Sequence, residues 1–181
     1  MTMGSYNTVA SNIAAGTGLL KNGLSFDTRI SRITGDGYIR NGSVDHKNIF
    51  LSGAYQTGKQ LIKLNYINGI QHTGITWEGI SEEEMKIDRK YNPTGEYYDE
   101  VGNIYYYGNE TDNYYSNIAQ LIYTRLLSDY WTLNANLSYN NGYGYYENYK
   151  TDRKFSSNFG LNNQNIDGVE YDRSDVIQRK L

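Results

Sequence analysis

Residues 131–140 read Trp-Thr-Leu-Asn-Ala-Asn-Leu-Ser-Tyr-Asn, with polar and apolar side chains in alternation. Successive side chains of a β-strand point to opposite faces, so this stretch predicts a strand with one polar and one apolar face. The same period of two recurs in three further stretches, which start at Leu24, Ile49 and Ile62. Weaker versions of the pattern cover residues 12–19 and 117–127. We therefore expect an all-β chain, an antiparallel meander of about eight long strands.

The connections between the expected strands alternate between short and long. We expect short turns at 21–23, 57–59 and 128–130, and long loops at approximately 36–45, 73–114 and 143–174. Asn22-Gly23 in the first turn is a strong hairpin signal, because both central residues of a type I′ turn have positive φ. Outer-membrane β-barrels have short periplasmic turns and long extracellular loops. The pattern therefore predicts that the short turns face the periplasm.

Strand length and the charges of the polar face also favour a membrane barrel. Residues 24–35 and 131–142 would form strands of about 12 residues, whereas soluble strands average about 5–6 residues and tilted transmembrane strands need about 9–11. Asp27, Arg29 and Lys63 lie on the polar face, where a wide barrel with a wet or plugged lumen accommodates them. The inverse arrangement, a lipocalin-like barrel with the apolar face inside, remains geometrically open because alternation alone does not identify the inner face.

Composition narrows the classes of function. Tyrosine supplies 20 of 181 residues, and it suits surfaces with one apolar and one wet side. A net charge of −3 without a long basic run argues against nucleic acid as a partner. The absence of cysteine excludes disulfides and thiolate chemistry, and we expect His46 and His72 to be separate, exposed loop residues. No catalytic constellation is visible, so we expect no enzyme and no cofactor, with only a pair of carboxylates left open.

The loop 73–114 holds the residues that we expect to contact a ligand. The aromatic candidates are Trp77, Tyr97, Tyr98, Tyr105, Tyr106 and Tyr107. Their faces could pack against a flat chelate, macrocycle or sugar, and the alternative is a solvated loop with an aromatic belt at its base. Asp99 and Asp112 supply hard oxygens for calcium but lack the spacing of an EF-hand, so we favour an acidic turn and expect no metal site. Ser81 and Glu84 predict a capping box at the start of a short helix.

Several stretches, in order along the chain, resemble the early barrel of TonB-dependent outer-membrane receptors, just after the plug domain. Gly-Ser-Tyr-Asn-Thr at 4–8 and Ala-Gly-Thr-Gly-Leu-Leu at 15–20 are similar to the start of that barrel. Residues 29–39 resemble the strand end and the first loop that follow in that family. Residues 109–114, 133–139 and 142–150 resemble a later loop and the strands on either side of the next turn. These stretches are spread over residues 4–150, so the resemblance runs over most of the chain.

The resemblance implies an open segment of a barrel of about 22 strands in the bacterial outer membrane, with lipid as its partner. The parent receptor would bind a scarce nutrient, of the ferric siderophore, haem or cobalamin class, and import it with energy supplied through TonB. The chain shows no plug, no signal peptide and no closing strand with a terminal aromatic residue, so we expect a fragment that is inactive in isolation. The alternative is a complete small outer-membrane barrel with an adhesin or structural role. An outer-membrane enzyme is a third hypothesis, disfavoured by the lack of a nucleophile.

Overall fold

The computed structural model describes residues 1–181 and confirms an all-β chain, with 62% of the residues in strands and 6% in helices. In chain order the elements are β1 (Thr2–Met3), β2 (Val9–Gly16), β3 (Leu24–Gly35), β4 (Val44–Gln56), β5 (Gln60–Gly74), α1 (Glu82–Ile87), β6 (Glu96–Tyr98), β7 (Ile104–Tyr106), β8 (Thr111–Ser128), β9 (Trp131–Lys154), α2 (Phe155–Phe159), β10 (Gln164–Ile166), β11 (Val169–Tyr171) and β12 (Arg173–Lys180). The main sheet has the order β1-β2-β3-β4-β5-β8-β9-β12, and β6-β7 and β10-β11 form two small sheets. The expected antiparallel meander of eight strands is confirmed, and its sheet is not closed.

The observed strand bounds agree with the sequence at β3 and differ from it at β2 and β9. β3 coincides with the expected strand 24–35, whereas the weaker pattern at 12–19 corresponds to β2 at Val9–Gly16. β9 runs for 24 residues to Lys154, because its second half pairs with β12. The third long connection therefore begins at Phe155, later than the expected 143–174, since backbone pairing continues where the side chains no longer alternate.

The turn at 21–23 differs from the expected type I′ turn. Gly23 has a φ of 81°, but Asn22 has no positive φ. The Leu20 N–H donates to the Leu24 carbonyl at 2.8 Å, and the Gly23 N–H donates to the Leu20 carbonyl at 2.9 Å. These bonds close a three-residue loop that ends in a left-handed glycine, the next most common hairpin connection. Asn22 contributes through its side-chain oxygen, which accepts the Leu24 N–H at 3.2 Å.

The chain forms two compact units. The first comprises residues 1–37, 43–73 and 113–144, and the second comprises residues 38–42, 74–112 and 145–181. The first unit holds most of the long strands, and the second holds the small sheets and both helices. Neither helix has the length and hydropathy needed to span a membrane.

The first unit buries polar side chains and exposes apolar ones. In the register of β3, β4 and β5, Phe26, Gly53 and Leu64 lie side by side on one face, and Leu64 is 56% exposed. On the opposite face Ser52 and Asn65 are buried and joined by a hydrogen bond of 2.9 Å. Antiparallel sheets of soluble proteins pack their apolar face against a core, so the burial in this unit is inverted.

Exposed apolar side chains also occur on the other long strands of the first unit. Its exposed large apolar side chains include Ile13, Phe26, Ile30, Leu51, Leu64, Leu121, Leu127, Leu133 and Leu137. In the whole chain Ile75, which belongs to the second unit, is the single large apolar side chain that is buried. The chain therefore lacks the apolar core that stabilises a soluble domain of this length.

The second unit contains the predicted helix cap. The Ser81 hydroxyl accepts the Glu84 N–H at 3.2 Å, and the Glu84 carboxylate accepts the Ser81 N–H at 2.7 Å. Two N–H groups that a helix start leaves without partners are thus satisfied reciprocally. The predicted capping box at the start of α1 is confirmed.

Candidate functional site

The hairpin β6–β7 separates the predicted tyrosines onto two faces. Tyr97 pairs with Tyr105, and Glu96 pairs with Tyr106. Directly opposed residues of a hairpin share a face, and consecutive residues alternate between faces. Tyr97 and Tyr105 therefore lie on one face of the hairpin. Glu96, Tyr98 and Tyr106 lie on the other.

The first face forms a row that we call the stacked tyrosines: Tyr105, Tyr97, Tyr149 and Tyr107. Consecutive ring centres in this row are 5.6, 4.9 and 5.6 Å apart. Aromatic pairs at such distances each contribute about 0.5–1.5 kcal/mol beyond the area that they bury. Tyr97 stacks on Tyr105 and meets Tyr149 at an angle of 50° between the ring planes, so the row fastens the hairpin to β9. Tyr149 is not among the residues predicted from the sequence.

The second face forms the Glu96 cluster, which consists of Glu96, Tyr91, Tyr98, Tyr106 and Arg40. The hydroxyls of Tyr91 and Tyr106 donate to Glu96 Oε2 at 2.9 and 3.1 Å. The Tyr98 hydroxyl donates to Glu96 Oε1. The Arg40 guanidinium lies 4.0 Å from the centre of the Tyr106 ring and 5.9 Å from that of Tyr91. Four oxygen-bearing side chains and one cation thus meet at one place.

The tyrosines of the Glu96 cluster have raised pKa values. Burial and the hydrogen bond to Glu96 raise the pKa of Tyr91 to about 12. Burial and the same carboxylate raise the pKa of Tyr106, and the hydrogen bond to Glu96 raises that of Tyr98. A phenol that donates to a carboxylate is harder to ionise, because its anion would repel that carboxylate. All three side chains are therefore neutral donors near pH 7.

Glu147 of β9 anchors the end of the long loop from inside the second unit. The residue is 1% exposed. Its Oε1 accepts the Tyr107 hydroxyl at 2.6 Å and the Asn109 amide at 2.5 Å, and its Oε2 accepts Arg179 Nε at 2.5 Å. The hydrogen bond from Tyr107, followed by those from Asn109 and Arg179, lowers the pKa of Glu147 to about 2 against the opposing effect of burial. The hydroxyl of Tyr107 therefore donates its hydrogen bond to Glu147.

A second buried carboxylate, Glu110, fastens the same loop through different partners. It is 0% exposed, and its carboxylate accepts the Asn148 amide at 2.7 Å and the Tyr149 N–H at 2.5 Å. Its backbone carbonyl accepts the Asn41 amide at 2.8 Å and the Ile75 N–H at 3.1 Å. The two ends of residues 75–110 are therefore joined to each other. Buried polar groups that are fully hydrogen-bonded make a segment rigid.

The structure brings five of the six predicted residues together around the hairpin and leaves Trp77 outside both groups. Trp77 is 58% exposed and meets Tyr146 edge-on at 5.6 Å between ring centres. The oxygens of Asp99 accept the N–H groups of Val101 and Asn103 and the Asn103 amide, which is the acidic turn that the sequence favours. Nowhere do three or more His, Cys, Asp or Glu side chains converge as metal ligands.

The expectation that both histidines occupy loops is wrong. His46 belongs to β4 and His72 to β5. Both strands continue past the stretch in which apolar residues alternate, because main-chain pairing of Val44 to Thr73 extends the ladder. Nδ1 of His72 lies 2.6 Å from the side-chain oxygen of Asn113.

Glu96, Tyr91 and Arg40 are likewise not among the residues predicted from the sequence. A signal for Glu96 was present: the turn residues from Asp99 to Asn103 separate two short aromatic runs, which is the pattern of a hairpin. Pairing across that turn would have placed Glu96 opposite Tyr106. Arg40, which precedes β4 in the chain, carries no comparable signal.

Comparisons of the chain with models of known protein families, with curated proteins and with solved structures found no match.

Proposed function

We propose that the chain is part of the transmembrane β-barrel of a TonB-dependent receptor in the bacterial outer membrane. The observation that carries this proposal is the inverted burial of the first unit. Leu64 is 56% exposed on the apolar face, whereas Ser52 and Asn65 are buried on the polar face. Transmembrane barrels present apolar side chains to lipid and polar ones to the lumen. Lipid is therefore the environment in which this sheet is stable.

The aromatic residues of β9 fit the thickness of a bilayer. Trp131 is 72% exposed at one end, and Tyr143 stacks on Tyr115 at 4.8 Å toward the other. Tyr143 lies twelve positions after Trp131, which is about 40 Å of strand, and at a tilt of about 45° this length crosses about 28 Å. Outer-membrane barrels carry an apolar band about 25 Å tall between two aromatic girdles. We infer that residues 131–143 span the membrane and that β9 beyond Gly144 lies outside it.

The open sheet supports a barrel larger than eight strands. β1 and β12 occupy the two edges of the sheet, and each edge leaves unpaired main-chain groups. A barrel spans lipid only when it is closed. We therefore propose that further strands complete the ring, as in a barrel of about 22 strands, and that this chain alone transports nothing.

The second unit provides the proposed ligand-binding surface on the extracellular side. Its long loop is held in place by Glu110 and Glu147 and exposes Trp77, Tyr98 and Tyr105 to solvent. Rigid loops that present aromatic and polar groups suit the capture of a scarce nutrient, because little ordering entropy is lost on binding. Import would then depend on TonB as the energy-coupling partner.

Spin labelling tests the lipid-facing assignment. Because the chain has no cysteine, single cysteines at Leu137 and Ser138 can each carry a nitroxide without background labelling. We expect the label at 137 to be relaxed mainly by oxygen, which concentrates in the apolar phase, and the label at 138 mainly by a water-soluble nickel chelate. The measurement uses the full chain in detergent micelles, whose apolar interior covers a lipid-facing surface without requiring a closed barrel. Equal accessibility at the two positions would show that the apolar face does not meet lipid.

A further inference from the structure

The apolar face of the first unit carries charge at one end of strands β2 to β5. Phe26, Gly53 and Leu64 lie side by side on this face, and every second residue of each strand shares it. All its charged side chains lie at the end of the strands away from the turns at 21–23 and 57–59. They form what we call the Arg32 group: Arg32, Lys47 and Asp45.

The Arg32 group has more positive than negative charge. Arg32 and Lys47 are direct register partners, and like charges directly opposite one another destabilise a sheet. The Asp45 carboxylate accepts Arg32 Nε and Nη2 at 2.8 and 2.9 Å and lies 3.2 Å from Lys47 Nζ. Because one carboxylate faces two cations, one positive charge remains that a bound anion would neutralise.

Both cations keep N–H groups for a further acceptor. The guanidinium of Arg32 has five N–H groups, of which Asp45 takes two. The ammonium group of Lys47 has three, of which Asp45 takes one. The side chains of Arg32 and Lys47 are 54% and 49% exposed. A ligand on the apolar face can therefore reach the remaining donors.

Contacts between β5 and β8 extend the row of the Arg32 group across the sheet. The Asn68 amide donates to the Asn117 side chain at 2.9 Å, and His72 Nδ1 lies 2.6 Å from the Asn113 oxygen. In an antiparallel pair these two contacts place residue 115, midway between the asparagines of β8, beside residue 70 of β5.

The Arg32 group consequently lies level with aromatic residues of the proposed membrane interface. Lys47 pairs with Arg32 on one side and with Ile70 on the other. Tyr115 continues this row and stacks on Tyr143 at 4.8 Å, where β9 leaves the proposed membrane span. Aromatic girdles of outer-membrane barrels lie at the level of the lipid headgroups. The two cations therefore lie where headgroup phosphates would be.

An apolar path leads from the Arg32 group toward the short turns. Ile30, in the next row of the same face, is 59% exposed. Farther along, Gly53 forms the floor of a depression of about 680 Å³ between Phe26 and Leu64. The six residues from Phe26 to Arg32 cover about 20 Å of strand, which at a tilt of about 45° descends about 14 Å. This depth is about half of the 30 Å hydrocarbon core, and so about one lipid monolayer.

We propose that the Arg32 group binds the phosphate of an anionic phospholipid whose acyl chain lies along this apolar path. Arginine offers paired N–H donors to phosphate, and lysine adds a point charge. Basic side chains at a membrane surface attract anionic lipids. The apolar path favours a lipid over a free anion, because the depression and the cations lie on the same strands. The inference rests on the proposed function and names a specific lipid partner for its lipid-facing side.

Native mass spectrometry tests the proposal on the full chain in dodecyl maltoside micelles that contain a small fraction of dipalmitoyl phosphatidylglycerol. We expect one retained lipid per chain. Arg32→Gln and Lys47→Gln should each weaken retention about fivefold, the effect of one basic side chain near a charged membrane surface. Asp45→Asn should strengthen retention, because it removes the competing carboxylate. Circular dichroism confirms that each variant keeps its strands.

Arg29→Gln is the matched control, because Arg29 belongs to the same strand as Arg32 but lies on the opposite face. We expect this variant to retain the lipid as the unmodified chain does. Dipalmitoyl phosphatidylcholine, which has the same chains and phosphate but an added cation, should be retained more weakly. Inorganic phosphate should not displace the bound lipid, since it has no acyl chain.

Four outcomes would each overturn the proposal: no retained phosphatidylglycerol, equal losses in the Arg29→Gln and Arg32→Gln variants, weaker retention by the Asp45→Asn variant, or displacement by inorganic phosphate. The spin-label measurement at 137 and 138 involves none of these side chains. Oxygen relaxation at 137 together with any of the four outcomes would therefore refute the phosphate site alone, whereas equal accessibility at the two positions would refute the lipid-facing assignment.

Discussion

Glu147 and Arg179 form an ion pair in which one partner is buried and the other is open to solvent. Arg179 Nε lies 2.5 Å from Glu147 Oε2, and the two side chains are 66% and 2% exposed, respectively. The same residues are register partners of β9 and β12, so backbone and side-chain contacts coincide. A buried carboxylate is stable only when donors surround it. Tyr107 and Asn109 complete that shell, which links the long loop to β9.

The first prediction concerns the stability of the β6–β7 hairpin at low pH. The pKa of Glu147 is about 2 in the folded chain against an ordinary value of 4.5. The ionised Glu147 carboxylate therefore contributes fully to the stability of the folded chain above about pH 4.5, and this contribution is lost as the pH falls toward 2. A shift of this size corresponds to about 3 kcal/mol. We expect hydrogen exchange at the hairpin amides, corrected for intrinsic rates, to lose protection between pH 4.5 and 2. Glu147→Gln should remove that dependence, and Glu100→Gln, at an exposed position, should retain it.

A second prediction tests the effect of the Tyr107 hydroxyl on the pKa of Glu147. Tyr107→Phe keeps the stacking on Tyr149 but removes the largest influence that lowers the pKa of Glu147. We expect the pKa of Glu147 to rise, as carboxyl-carbon NMR chemical shifts against pH would show. Hydrogen bonds to charged groups contribute about 1.5–3 kcal/mol, so the hairpin should also exchange faster. An unchanged pKa would mean that Asn109 and Arg179 alone hold the carboxylate.

A third prediction concerns the close contact at the end of β5. A Cβ at Gly74 would overlap the backbone carbonyl of Asn41, whose side chain bridges the carbonyls of Ile75 and Glu110. Backbone cannot yield as a flexible side chain does, so Gly74→Ala should destabilise the loop by about 1–3 kcal/mol. Gly79→Ala is the control, because a Cβ there meets nothing within 4 Å. Equal proteolytic sensitivity of the two variants would contradict the contact.

The strands were predictable because alternation is a local property. β3 was found with both ends correct, since every residue from Leu24 to Ser31 obeys the period of two. The second half of β9 was expected to be loop, since Tyr145, Tyr146 and Tyr149 interrupt the pattern. Their strand is stabilised by pairing with β12, a partner that lies beyond a connection of 18 residues and leaves no mark on the local sequence.

The site was only partly predictable for a related reason. Aromatic composition identified Tyr97, Tyr98, Tyr105 and Tyr106 as a group, but it could not divide them between two faces. That division depends on the register between two strands of three residues each, and a slip of one residue would reverse it. Glu110 and Glu147 are charged, so composition alone places them in solvent. Their burial follows from donors that are distant along the chain.

The final prediction tests the orientation of β9 through two neighbouring residues. Leu137 stands midway between Trp131 and Tyr143, and its side chain is 70% exposed on the apolar face. Arginine on the lipid face at the bilayer midplane costs about 2–4 kcal/mol, whereas lumen-facing positions tolerate charge. Leu137→Arg should therefore reduce the fraction of chain that folds in detergent micelles at intermediate urea concentrations. Ser138→Arg adds the same side chain one residue away on the opposite face, so it controls for charge, size and strand propensity. We expect it to fold as the unmodified chain does. If the two variants lost folding equally, the apolar face of the first unit would not be its lipid-facing side, and the inverted burial would need a protein partner instead.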